Sequence, residues 1–125
     1  MRAKKNIKLD KPSPYIDENV LDEFKKFMGD EGDGLVKELI ELYHTNAPQL
    51  ISLIKNDINS GDIESLKTHV HSLKGNSGQL GITGIAGLCR QLEDVIHEGR
   101  FVEIDPLFEQ LQTTYQQVEI VIKNK

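Results

Sequence analysis

Val70-His71-Ser72-Leu73-Lys74-Gly75-Asn76-Ser77-Gly78-Gln79-Leu80-Gly81 continues a helical stripe that begins at Leu66. At about 100° per residue, Leu66, Val70, Leu73, Ser77 and Leu80 fall within roughly 40° of one direction, which is one buried helix face. His71 lies about 140° from that direction, with Gly75 and Gly78 beside it and Lys67 and Lys74 bordering the same outer face. The apolar phase runs through both glycines, so the spacing predicts a helix that continues past them. Glycine inside a helix costs roughly 1 kcal/mol relative to alanine. A chain that keeps two of them beside an outward histidine reads as one that needs bare backbone where something large approaches.

Working outward, helical spacing covers everything after Pro14, and no alternating strand pattern occurs. Asp17 can cap a short first helix carrying Val20, Leu21, Phe24, Phe27 and Met28, which Gly29 ends. Asp33 is the candidate cap of a long second helix with the stripe Leu35, Val36, Leu39, Leu42, Tyr43, Ala47, Leu50, Leu53, Ile54 and Ile58. Pro48 removes one backbone bond there, but the phase carries through, so one bent helix is expected. Asp62 caps the third helix, and Gly81-Ile82-Thr83 leads into a fourth with Ile85, Leu88, Cys89, Leu92 and Ile96 inward. After Gly99, Asp105-Pro106 supplies a cap and a first-turn proline for a fifth helix facing inward through Phe108, Leu111, Tyr115, Val118 and Ile122. The expected fold is all-α: an antiparallel up-and-down four-helix bundle with a short additional N-terminal helix.

The 125 residues suit one domain with a single core. Residues 1–14 read as a basic, flexible tail or linker, because Arg2, Lys4, Lys5, Lys8 and Lys11 are opposed there only by Asp10. Residues 15–125 are expected to form the bundle. A net charge of −5 argues against nucleic-acid binding by general electrostatics. No run of roughly 18 apolar residues or signal-peptide core is present, so the expected compartment is the cytoplasm. Cys89 is the only cysteine, which excludes an intrachain disulfide and a cysteine-based zinc site.

Candidate chemistry narrows to His71. His69 and His71 point about 200° apart and cannot chelate one metal. His44 and His97 lack the Glu-x-x-His partners of a carboxylate-histidine bundle. Cys89 falls on an apolar stripe as a small core residue. An exposed helical histidine is usually an ordinary surface residue, yet Lys74 stands one turn away and suits an anion carried on the ring. Gly75 clears the approach, and an imidazole near neutral pH is partly unprotonated and nucleophilic. These residues by themselves leave both readings open.

His71-Ser72-Leu73-Lys74-Gly75, followed by Ser77 and Leu80-Gly81, resembles the signature of histidine-containing phosphotransfer (HPt) domains. Cys89 and Leu92-Glu93 are similar to the family's next helix, and the resemblance covers roughly residues 17 to 123. It implies the same helical bundle, with His71 as phosphoacceptor and Lys74 neutralising phosphoryl charge. It also implies that Lys67, Gly75 and Gly78 form the docking face of a response-regulator receiver domain. Glu93 matches a position, often polar in the family, where it would accept a hydrogen bond from the ring's other nitrogen. Asn76 departs from the commoner Ser or Ala. The implied chemistry is reversible transfer between a receiver aspartate and His71 Nε2. Mg²⁺ would be held by the receiver and no cofactor by this chain. The chain would then be a monomeric phosphocarrier without ATP-dependent kinase activity, and a hybrid sensor kinase is a further expected partner. A helical adaptor that binds a signalling protein without phosphorylation is the alternative.

Overall fold

The computed structural model describes residues 15–123. The tail expected over residues 1–14 and the last two residues lie outside the described residues. Among the described residues five α-helices follow in order: α1 Glu18–Met28, α2 Gly32–Ser60, α3 Ile63–Gln79, α4 Thr83–His97 and α5 Ile104–Lys123. Helix α3 packs against both α2 and α4, α5 closes on α4 and α2, and α1 lies along α2. The α2–α3 pairing is antiparallel: Asp57 meets His69 near one end, while Tyr43 meets Ser77 toward the other. The architecture is the expected four-helix up-and-down bundle with a short helix at its start.

Local chemistry explains most boundaries. Asp62 caps α3 by accepting the Ser65 amide at 3.1 Å, and Asp17 caps α1 by accepting that of Asn19 at 3.0 Å. Helix α2 runs unbroken for 29 residues with Pro48 inside it. Its buried residues Val36, Tyr43, Ala47 and Ile54 fall on both sides of the proline, so packing holds the two halves in one phase. Two capping expectations are corrected. Asp33 does not cap α2, because a 3₁₀ turn over Gly29–Glu31 runs directly into it and the Gly32 amide bonds to the Gly29 carbonyl. Asp105 is likewise not the cap of α5: the 3₁₀ turn Phe101–Glu103 precedes Ile104, which places Asp105 and Pro106 inside the first turn. There the proline's missing N–H costs nothing and the carboxylate faces the positive end of the helix dipole.

The core is continuous from Ile16 to Ile122, with Ile54, Leu66, Leu73, Ile85, Leu92 and Leu111 fully enclosed. Burying each such side chain stabilises the fold by about 1.5–3 kcal/mol relative to leaving it in water. Three residues assigned to apolar stripes sit outside this core: Phe27 is 86% exposed, Leu42 57% and Leu53 41%. The stripes are narrower than the sequence suggests because each helix meets its neighbours along one seam.

The α3–α4 turn is latched by the segment that leads into α1. The Asp17 amide donates to the Gly81 carbonyl at 2.6 Å, and the Gly84 amide to the Tyr15 carbonyl at 3.0 Å. Gly81 is required twice over. Its φ is +73°, and a Cβ there would lie 2.8 Å from the Asp17 oxygen and from Val20 Cβ.

Candidate functional site

The face of α3 opposite the core carries the site. Val70, Leu73 and Ser77 bury the inner face, and α3 remains helical through Gly75 and Gly78, so His71 projects outward with its side chain 74% exposed. Ser77 is held in the core by a 2.8 Å hydrogen bond with the Tyr43 hydroxyl on α2. This bond fixes the rotation of α3 about its axis directly behind the glycines.

Helix α4 supplies the counterpart. With Leu92 and Cys89 buried, Glu93 lies at the rim of the α3–α4 seam. Its Oε2 sits 3.0 Å from His71 Nδ1, and its Oε1 accepts Lys74 Nζ at 2.6 Å. Partial burial would raise the carboxyl's pKa. The hydrogen bonds from Lys74 and then His71 outweigh that and hold it below the usual glutamate value. A carboxylate only accepts, so in the neutral ring the proton sits on Nδ1 and the Nε2 lone pair is left free at the outer edge. His71, Lys74 and Glu93, singled out separately in the sequence, therefore form one contiguous cluster.

Beside the ring runs an open groove of about 500 Å³ between α2 and α3, lined by Asn46, Gln49, Leu50, Leu53, His71, Ser72, Gly75 and Asn76. A Cβ built on Gly75 would meet nothing within 4 Å, and the same holds for Gly78. Packing within the chain demands neither glycine. Their bareness is available only to something outside the molecule. Gly78 and Lys67 do not line this groove, and Lys67 pairs weakly with Glu64 at 3.7 Å. A larger cleft of about 1090 Å³ lies between α1, α2 and the end of α5, bordered by Leu21, Val36, Ile40 and His44, and His71 has no part in it.

Sequence reasoning missed the α2 wall of the groove and a histidine–carboxylate contact between helices. His69 Nδ1 lies 2.6 Å from Asp57 Oδ2, tying α3 to the end of α2 just before the site. A signal was present: Asp57 follows Ile54 by three residues, a carboxylate in phase with an apolar stripe. Cys89 is buried and its thiol is pushed up to about 12, chiefly by desolvation, so it is a core residue and no nucleophile at neutral pH. Among the described residues, no three His, Cys, Asp or Glu side chains converge as a metal site.

A helical bundle that presents an imidazole to solvent with Nδ1 engaged and Nε2 free beside an ammonium group has the form of a carrier of a group bound through nitrogen. The Hpt domain family model matches residues 38–120, well over half of the chain, and the chain belongs to that family. The phosphorelay intermediate protein YPD1 of Candida albicans is 26% identical over 74 residues, covering 59% of this chain and 40% of that protein. The chain thus matches less than half the length of that curated relative. Among solved structures, histidine-containing phosphotransfer protein B (HptB) of Pseudomonas aeruginosa PAO1 superposes with a TM-score of 0.80 at 26% identity, covering 90% of this chain and 95% of that one. No helix among the described residues is long and apolar enough to cross a membrane.

Proposed function

We propose that this chain is a phosphorelay carrier that holds a phosphoryl group on Nε2 of His71 and exchanges it with the aspartate of a receiver domain. The observation that carries the reading is the Glu93–His71 Nδ1 contact on an exposed ring, with Lys74 alongside and bare Gly75 opening onto the groove. In the forward step the Nε2 lone pair attacks phosphorus in line. The Nε2–P bond forms, the aspartyl P–O bond breaks, and its electron pair stays on the receiver's carboxylate. The ring keeps its Nδ1 proton, donated to Glu93, so no proton has to leave. Lys74 offsets charge on the phosphoryl oxygens, while Gly75 and the groove walls Asn46, Gln49, Leu50 and Leu53 take the receiver's surface. Mg²⁺ is assigned to the receiver, which holds it beside its aspartate and supplies charge neutralisation there. The chain acts as a cytoplasmic monomer, loads from receivers, including one attached to a hybrid kinase, and has no ATP-dependent activity of its own.

The test is transfer of labelled phosphate from several phosphorylated receivers in the presence of Mg²⁺. Wild type acquires acid-labile label and His71→Gln acquires none. Equal labelling of His71→Gln, or no uptake from any receiver, overturns the proposal. In the second case, binding of a signalling protein that is indifferent to His71→Ala would mark the chain as an adaptor.

A further inference from the structure

We propose that Glu93 biases His71 toward giving its phosphoryl group up, so that the loaded chain is tuned as a donor to receivers and not as a store. This rests on the reading of His71 as the phosphoacceptor. In the empty site Lys74 pairs with Glu93 at 2.6 Å, and the ring that attacks is the neutral form, whose Nε2 carries a lone pair. Loading changes that balance. The Nε2–P bond forms while the donor's P–O bond breaks, the retained Nδ1 proton makes the ring a cation, and the phosphoryl oxygens bring two negative charges. Ring and phosphoryl group together add one net negative charge beside a carboxylate that is already ionised.

Glu93 opposes that addition in two ways. Its own charge repels the phosphoryl oxygens, and it holds the ammonium that would otherwise neutralise them. The α2 side of the groove offers Asn46 and Gln49, both neutral, so no cation from that wall compensates. The ion pair between Glu93 and the ring cation returns part of this cost, but a neutral amide at residue 93 would still accept the Nδ1 proton and would leave Lys74 free. The carboxylate therefore does something that hydrogen bonding alone does not need: it raises the free energy of the loaded state relative to the empty one. In the donor direction the N–P bond breaks, its electron pair returns to Nε2, and the added negative charge leaves with the phosphoryl group.

The experiment measures the loaded-to-empty ratio of His71 at a fixed ratio of phosphoramidate to ammonia, and separately its partition against a phosphorylated receiver. Glu93→Gln is expected to raise the loaded ratio about three- to tenfold in both, as removal of one nearby, partly screened charge requires. Lys74→Ala is expected to lower the ratio more in the Glu93→Gln chain than in wild type, because only there is the ammonium uncommitted. A residue that merely supported the fold would shift the denaturation midpoint and leave the ratio unmoved. An unchanged or lowered ratio in Glu93→Gln overturns the proposal, as does an equal Lys74→Ala penalty in both backgrounds. Wild type that loads from phosphoramidate but exchanges with no receiver overturns the functional reading while the role of Glu93 is still read from the chemical arm. A His71 that phosphoramidate cannot load overturns both.

Discussion

Replacing Gly75 should make the protein more stable and less useful. Gly75 sits inside α3, four residues before its last residue Gln79, at a helical backbone angle and in open space. Alanine there meets no atom within 4 Å, so the change involves no steric cost and recovers helix propensity. The expected gain is about 0.8–1 kcal/mol, part of it from narrowing the unfolded ensemble. For a domain of this size that is a rise in Tm of roughly 3–6 °C. Glutamine has nearly the propensity of alanine, so Gly75→Gln should also stabilise, by a few tenths of a kcal/mol at least. Its side chain would stand in the groove beside His71, and displacing an in-line donor by about 1 Å is enough to slow transfer of order a hundredfold. The assay pairs urea denaturation with single-turnover transfer from a phosphorylated receiver. A lower urea midpoint for Gly75→Ala would refute the reading of α3 as regular helix with nothing packed on Gly75. Transfer at the wild-type rate by a folded Gly75→Gln would refute the docking argument.

Tyr43→Phe and Ser77→Ala each strand a buried hydroxyl, at about 1–2 kcal/mol apiece, and the double variant should cost clearly less than the sum in urea denaturation; strict additivity would mean the two hydroxyls do not bond. Glu93 has a lowered pKa when folded, so its contribution is present above the ordinary glutamate range and disappears as the pH falls through its own lower value. The stability gap between wild type and Glu93→Gln should therefore be open at neutral pH and close in acid, and a gap that persists in acid would contradict the ion pairs. Cys89, with its thiol pushed up to about 12, should resist iodoacetamide in the native protein at pH 8 and react in urea; rapid native labelling would show that the α4 seam opens.

The inner faces of α3, α4 and α5 are legible in the sequence because each carries a stripe of one period, and the Asp62 cap is legible because aspartate precedes that stripe immediately. His71 is legible as a surface residue from its phase alone. The mistaken caps have a common cause: Asp33 and Asp105 follow short 3₁₀ turns that enter the helix without a break, and a side-chain cap needs an extended residue at that point. Phe27, Leu42 and Leu53 mark another limit, since periodicity says which residues share a face but not how wide a strip the neighbour covers. Tyr43–Ser77 and Asp57–His69 were out of reach as pairs, although each member is an anomaly on its own stripe, because a contact between helices depends on the register with which they dock. The groove beside His71 shares that dependence: half of it comes from α2, which no local motif around residue 71 specifies.

His71 stands on an unbroken helix whose reverse side is pinned by Val70, Leu73 and Ser77. The backbone that carries the ring is held by that buried face, so on the proposed function the message resides in a bond more than in a shape. A receiver then meets nearly the same surface whether the carrier is full or spent. Spent carrier competes for the same partner, and flux through the relay follows the ratio of the two forms more closely than their total. Raising the amount of this protein without raising its loading would damp the signal.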